Sequence, residues 1–254
     1  MTFFCTLLFM FMVFWRPQEW LVPQLYGWPL LDVVVGVAVL AFLVEVREKR
    51  IRIPKGPVPW LLLGLVIASA MSHVPHTYFV GMIDAIADTW KICFFTFLFF
   101  SVLDRPKRLR AVARVFVVMT CVMAVHALLQ KYRGYGFVGQ RPMWVMRPSL
   151  EEPIIRTLFF GIFEDPNDLA QILVTAIPLC FVITKKPGPW SVLLSILAAS
   201  LLVAGFLTTH SRGGMVAMAA VIGVGVLLML PRRWFLPLLV VGALAALVML
   251  PMLG

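Results

Sequence analysis

Apolar runs approaching membrane-spanning length recur along the whole chain, separated by short polar connections, and few folds accommodate that pattern. A helix needs roughly 20 apolar residues to cross the hydrocarbon core, fewer where flanking side chains snorkel or the bilayer thins. Such segments lie at 2–15, 29–44, 57–73, 78–103, 109–129, 166–184, 190–209, 213–230 and 234–253. The pattern predicts an all-α fold: a polytopic integral membrane helical bundle of about nine transmembrane helices, in one transmembrane domain over residues 1–254. With 61% hydrophobic and only 13% charged residues, a soluble globular enzyme is excluded. The first run has no basic stretch before it and no small-residue cleavage site after it, because Trp15, Arg16 and Pro17 follow directly. It reads as a retained helix rather than a signal peptide.

A net charge of +10 would suit nucleic acid, but the basic residues sit in short clusters between the apolar runs, so they read as topology signals and no nucleic-acid partner is expected. Arg47, Lys49, Arg50, Arg52 and Lys55 follow the second run, and Arg105, Lys107, Arg108 and Arg110 follow the fourth. Lys185 and Lys186 follow the sixth, and Arg232 and Arg233 the eighth. The short odd-numbered connections carry only Arg16 with Glu19, then His73 and His76, then His210 with Arg212. By the positive-inside rule the N-terminus and the even-numbered connections are cytoplasmic. The long fifth connection, 130–165, is then a periplasmic loop, because a loop of that length translocates largely regardless of charge. Trp15, Trp20, Trp28, Trp60, Trp90, Trp190 and Trp234 fall near the ends of these segments, where an amphipathic ring prefers the headgroup region. Cys5, Cys93, Cys121 and Cys180 lie inside apolar runs without CxxC spacing, so they read as packing residues.

Two polar stretches stand out. In Arg156-Thr-Leu-Phe-Phe-Gly-Ile-Phe-Glu-Asp-Pro-Asn-Asp-Leu-Ala170, Asp165 suits an N-cap with Pro166 as the first helical residue. Asn167 and Asp168 then sit in the first turn, either as plain capping residues or within reach of a headgroup or sugar hydroxyl. In Thr208-Thr-His-Ser-Arg-Gly-Gly214, Ser211 opens the next helix as its N-cap. Unpaired N–H groups, the close approach allowed by Gly213 and Gly214, and the planar fork of Arg212 would make a phosphate-binding corner. The alternative is that Arg212 snorkels to water while Gly213, Ala217, Ala219 and Gly223 ease helix packing. Arg133, Arg141, Arg147 and Arg156 in the long loop place positive charge where topology disfavours it, which points to an anionic partner outside. His73 and His76 lack a third metal ligand. Asp84 and Asp88, with Lys91 nearby, could relay protons or lie in an interfacial turn. His126 reads as structural, whereas His210 beside Arg212 is a candidate acid or base.

These two stretches resemble the signature regions of the O-antigen ligase and polymerase superfamily. In that group an Arg-containing segment leads to a Pro-Asn-x-x-Ala helix start and is followed by a Ser-Arg-Gly turn. Arg16-Pro-Gln-Glu-Trp20 and Gly27-Trp-Pro29 are similar to its polymerase-like and protein O-glycosylation members. The resemblance covers essentially the whole chain, as the N-terminal portion of a longer pattern. It implies a multi-pass glycosyltransferase of the bacterial inner (cytoplasmic) membrane that moves a glycan from undecaprenyl diphosphate to a hydroxyl acceptor: lipid A core, growing polysaccharide or protein. The partners it implies are that lipid-linked glycan, the acceptor and the bilayer, with no metal or other cofactor. Arg156 and Arg212 would hold the donor diphosphate and the charge developing on it, with the base either missing from this chain or replaced by His210. Asn167, Asp165, Ser211, Gly213, Arg147 and Arg141 would complete the substrate-binding set. Family members continue into a second large periplasmic loop carrying a His that resembles the general base, followed by further helices, and both are absent from this chain.

Two other readings remain open: a transporter or channel using Asp84, Asp88, Lys91 and Arg114, and a noncatalytic scaffold or inactive truncated paralogue. The outer location of both arginine motifs favours the enzyme over a transporter, whose site belongs near the bilayer midplane.

Overall fold

The computed structural model describes residues 1–25, 27–51, 53, 56–76, 78–146, 153–183 and 188–229. The expected helix at 234–253, the candidate binding residue Arg147 and the topology residues Arg52, Lys55, Lys185, Lys186, Arg232 and Arg233 lie outside the described residues.

Helices carry the fold: α1 (Thr2–Trp15), α2 (Pro17–Trp20), α3 (Leu30–Arg47), α4 (Val58–Met71), α5 (Phe79–Val102), α6 (Pro106–Arg133), α7 (Pro166–Val182), α8 (Pro189–Leu207) and α9 (Arg212–Met229). The expected apolar segments up to residue 230 therefore each form a helix. Three of these helices, α5, α6 and α8, are long and apolar enough to cross a membrane. α1, α4, α7 and α9 are apolar but shorter by that measure. α6 outruns its expected span of 109–129 at both ends, from Pro106 to Arg133. Counting apolar residues stops at a charge, whereas backbone hydrogen bonding continues through Lys107, Arg108 and Arg110, and Arg108 donates through Nη1 to Asp104 Oδ1 at 2.9 Å and to Val102 O at 3.0 Å. The long connection also holds strand, which periodicity did not show: β1 (Met143–Val145) pairs antiparallel with β2 (Ile154–Arg156), setting Met143 opposite Arg156.

The chain divides into two compact units, Met1–Val13 with Gln24–Val112, and Phe14–Pro23 with Ala113–Gly254. In the first, Val35, Ala38 and Phe42 of α3 recur at helical spacing and pack with Cys5 of α1 and Phe95, Leu98 and Val102 of α5. Glu45 accepts from the terminal amine of Met1 and from the Thr2 backbone N–H. α4 packs along α5 yet has no buried residue, and Trp60 and Leu61 are 74% and 68% exposed. An apolar face of this extent is stable in lipid rather than in water.

In the second unit α7 is the central helix, packing against both α8 and α9. Its Leu169, Ala170, Leu173, Val174 and Ala176 are buried with Met123, Ala124 and Ala127 of α6, and with Leu202 and Phe206 of α8. The C-terminal carbonyls of α7 have no partners within their own helix. The Ser195 hydroxyl donates to Cys180 O at 2.6 Å and Arg114 Nε to Ile183 O at 3.2 Å. α6 and α8 meet at backbone distance, because a Cβ added at Gly205 would lie 2.7 Å from Ala124 Cβ and 2.8 Å from its Cα. Gly205→Ala is expected to destabilise the protein by roughly 1–3 kcal/mol through this overpacking. Gly225→Ala, where the same Cβ meets nothing within 4 Å, is expected to be neutral or stabilising. Thermal unfolding of both variants in detergent checks the contrast.

Candidate functional site

The two polar stretches meet in the second unit. Asp165, in extended backbone, accepts from Asn167 N at 2.6 Å and caps α7, with Pro166 as the first helical residue. Ser211 accepts from Gly214 N at 3.0 Å and caps α9. Both helices thus begin as their sequences indicate, with side-chain oxygens satisfying amides that the helix leaves unpaired.

Asn167 ties the two helix starts together. Its Oδ1 accepts from Ser211 Oγ at 2.8 Å and from Arg156 Nη2 at 2.9 Å. Arg156 also donates through Nε to Thr209 O at 3.0 Å. One guanidinium, one amide and one hydroxyl, separated widely in sequence, therefore form a single bonded group across the N-terminal ends of α7 and α9. Part of the Arg156 fork remains for a ligand, and the N-terminus of α9, with no acidic residue in its first turn, carries partial positive charge. That of α7, in contrast, already meets the Asp165 carboxylate and has Asp168 in its first turn. Arg212 is the first residue of α9 and is exposed, and Gly213 beside it has open space where a Cβ would be.

His210 lies in the same turn, half-buried, with a left-handed backbone at φ 49. A non-glycine residue in that region is strained and is held there by its neighbours. On one side Thr209 gives its carbonyl to Arg156, and on the other Ser211 N donates to Thr209 Oγ1 at 3.3 Å. The turn is braced further by Thr157, whose N–H donates to Thr208 O at 3.3 Å and whose hydroxyl bonds that of Thr208 at 2.8 Å. Arg141 is exposed and lies beyond the end of the ladder in which Met143 faces Arg156.

The remaining candidates are not members of this bonded group. Asp84 and Asp88 are exposed on α5 in the first unit. Lys91 pairs with Asp32 at 3.2 Å rather than with either of them. His73 sets its ring against Tyr78, with centroids 6.1 Å apart. Arg114 is spent on a helix-terminal carbonyl.

Sequence reasoning took Arg16 as a topology signal and as the start of a segment similar to family members. In the structure it begins the short α2 with φ 43, and its side chain lies over Gly161, where it fills the place a Cβ would take. Gly161, itself at φ 64, is required there on both counts. Trp20 stacks on Phe160 and Phe137, with centroids 5.1 and 5.9 Å apart. The only advance signal was the likeness of the segment from Arg16 to Trp20 to family members. A separate apolar groove of about 760 Å³ runs between α6 and α8, lined by Val118, Val122, Leu194 and Ala198, with Phe137 also in its wall.

Asn167→Ala removes the acceptor shared by Arg156 and Ser211, leaving two donors to find new partners, whereas Asn167→Asp keeps it. The expected outcome is a loss of roughly 1–3 kcal/mol for the alanine variant. It should come with faster amide exchange at residues 209–214, and the aspartate variant should stay near wild type.

Compared with family models, curated proteins and solved structures, the chain matches none.

Proposed function

We propose that this chain is an O-antigen ligase- or polymerase-like membrane glycosyltransferase. It moves a glycan from undecaprenyl diphosphate to a hydroxyl acceptor at the outer face of a bacterial inner membrane. The observation that carries the reading is the bonded group of Arg156, Asn167 and Ser211, at which the N-termini of α7 and α9 adjoin. Phosphoryl oxygens are recognised by such a combination of helix-terminal amides and planar arginine donors.

In this scheme the acceptor's hydroxyl oxygen attacks the anomeric carbon of the lipid-linked sugar. The bond from that carbon to the diphosphate oxygen breaks, and its electron pair stays on the leaving diphosphate. Arg156 and Arg212 stabilise that charge, and His210 takes the hydroxyl proton. Donors fixed before the reaction need little reorganisation as charge develops, which is the main source of catalysis in such sites. Arg156 meets that condition through its bonds to Thr209 and Asn167. The apolar groove between α6 and α8 suits the isoprenoid chain of the carrier.

The reading includes a polytopic arrangement of about nine spans with the N-terminus cytoplasmic. A reporter active only in the periplasm should then respond when fused after Gly139 and stay silent after Arg50; the reverse pattern would overturn the orientation. For the chemistry, a ligase- or polymerase-deficient strain carries this chain, alone or extended by its downstream coding sequence, and surface or protein-linked glycan is scored on gels. Restored transfer that drops about 100-fold or more in Arg212→Ala and Arg156→Ala supports the enzyme. An inserted, expressed protein that restores nothing in either form removes it.

A further inference from the structure

Gln130 and His126 sit one turn apart on α6, and both are 0% exposed. Polar side chains in an apolar span are costly unless they are bonded, and they are kept there for what they hold. Gln130 Oε1 accepts from Leu158 N at 2.9 Å, and its Nε2 donates to Gln140 O at 3.5 Å and to Gln140 Oε1 at 3.4 Å. Gln140 in turn donates through Nε2 to Phe159 O at 3.2 Å. His126 Nδ1 accepts from Phe137 N at 3.0 Å. Its ring is enclosed by Phe137, Phe159 and Phe160 with centroids 5.0, 5.0 and 5.3 Å away. Gly136 is needed at this point because a Cβ would fall against the imidazole. Both ends of the segment 136–160 are thus fastened to one turn of α6.

Leu158, the residue that Gln130 holds, lies two positions after Arg156. Between them Thr157 is bonded to Thr208 through backbone and hydroxyl. The chain leading into Arg156 is fixed on the α6 side by Gln130 and on the α9 side by the 208–211 turn, so the guanidinium has little freedom to shift as a unit. We propose that Gln130 is a positioning residue. Through the Leu158 amide it sets the Arg156 guanidinium where charge develops on the leaving diphosphate. This rests on the reading given under Proposed function. A leucine of similar size would leave the Leu158 amide unsatisfied, whereas glutamate, kept protonated by this full burial, retains an acceptor for that amide and an O–H donor toward Gln140.

The test uses membranes expressing the full-length gene, with wild type, Gln130→Leu, Gln130→Glu, Arg156→Ala and the double variant of Gln130→Leu with Arg156→Ala. Two readouts are taken. The first needs no turnover: the rate at which phenylglyoxal modifies Arg156, mapped by mass spectrometry. It should rise several-fold in Gln130→Leu and stay near wild type in Gln130→Glu. The second is glycan transfer. Gln130→Leu should lower kcat about 10- to 100-fold with little change in KM for the acceptor. Gln130→Glu should recover most of the rate, and Gln130→Leu should add no loss once Arg156 is alanine. Unchanged labelling in Gln130→Leu overturns the proposal whatever the activity, as does a rate loss of the same factor with and without Arg156. If labelling responds as expected but the wild type transfers nothing, the glycosyltransferase reading falls, and with it the catalytic purpose assigned to Gln130, while its hold on Arg156 stands.

Discussion

A backbone amide or carbonyl left unpaired in apolar surroundings costs several kcal/mol, and how the second unit meets that cost organises the rest of it. Helix interiors satisfy themselves, so the demand falls on helix ends and on the connections. There most bonds from a side chain go to a backbone group, and others, such as Arg156 to Asn167 and Ser211 to Asn167, join side chains. Ser195 and Arg114 serve the end of α7, Asp165 and Ser211 serve the starts of α7 and α9, and Gln130 serves Leu158 in the long connection. Arg156 belongs to the same pattern, since its Nε answers the Thr209 carbonyl.

Satisfying these groups brings the polar side chains together. Ser211 caps α9 while donating to Asn167, and Asn167 gives its amide to the Asp165 cap while accepting from Arg156. Each residue has one bond that closes a helix end and another that reaches the neighbouring element. A cluster built this way is rigid because the helices need it, and rigidity is what an electrostatic site requires. The strained turn at His210 is affordable within such bracing.

The site was partly legible. Asp165 and Ser211 were readable as caps because capping depends on residues within one turn, so local sequence carries it. Arg156 and Arg212 were visible as cations where the charge pattern opposed them. Gln130 carried no signal, because a glutamine at the end of an apolar run looks like an ordinary boundary residue. Its importance comes from Leu158, which is distant in sequence. His126 was read as structural; it is buried, and the Phe137 amide that it accepts from was not foreseen. Arg16 was taken for its charge and its place in the segment up to Trp20, and neither showed that its stem lies over Gly161.

The sequence alone determined the helices. Runs of apolar residues in a medium that cannot hydrogen-bond leave the backbone only internal pairing, and the bounds of α1, α3, α4, α5, α7, α8 and α9 follow those runs closely, while the short α2 lies in none of them. Where the runs give way to charge, it placed the ends less well, as α6 shows. Tertiary structure decided which helix ends meet, that the long connection carries a two-stranded ladder, and that Arg156, Asn167 and Ser211 share one set of bonds. Those outcomes depend on packing among small residues, such as Gly205 against Ala124, and on donors finding acceptors far along the chain. Neither has a period or a spacing that a single sequence displays.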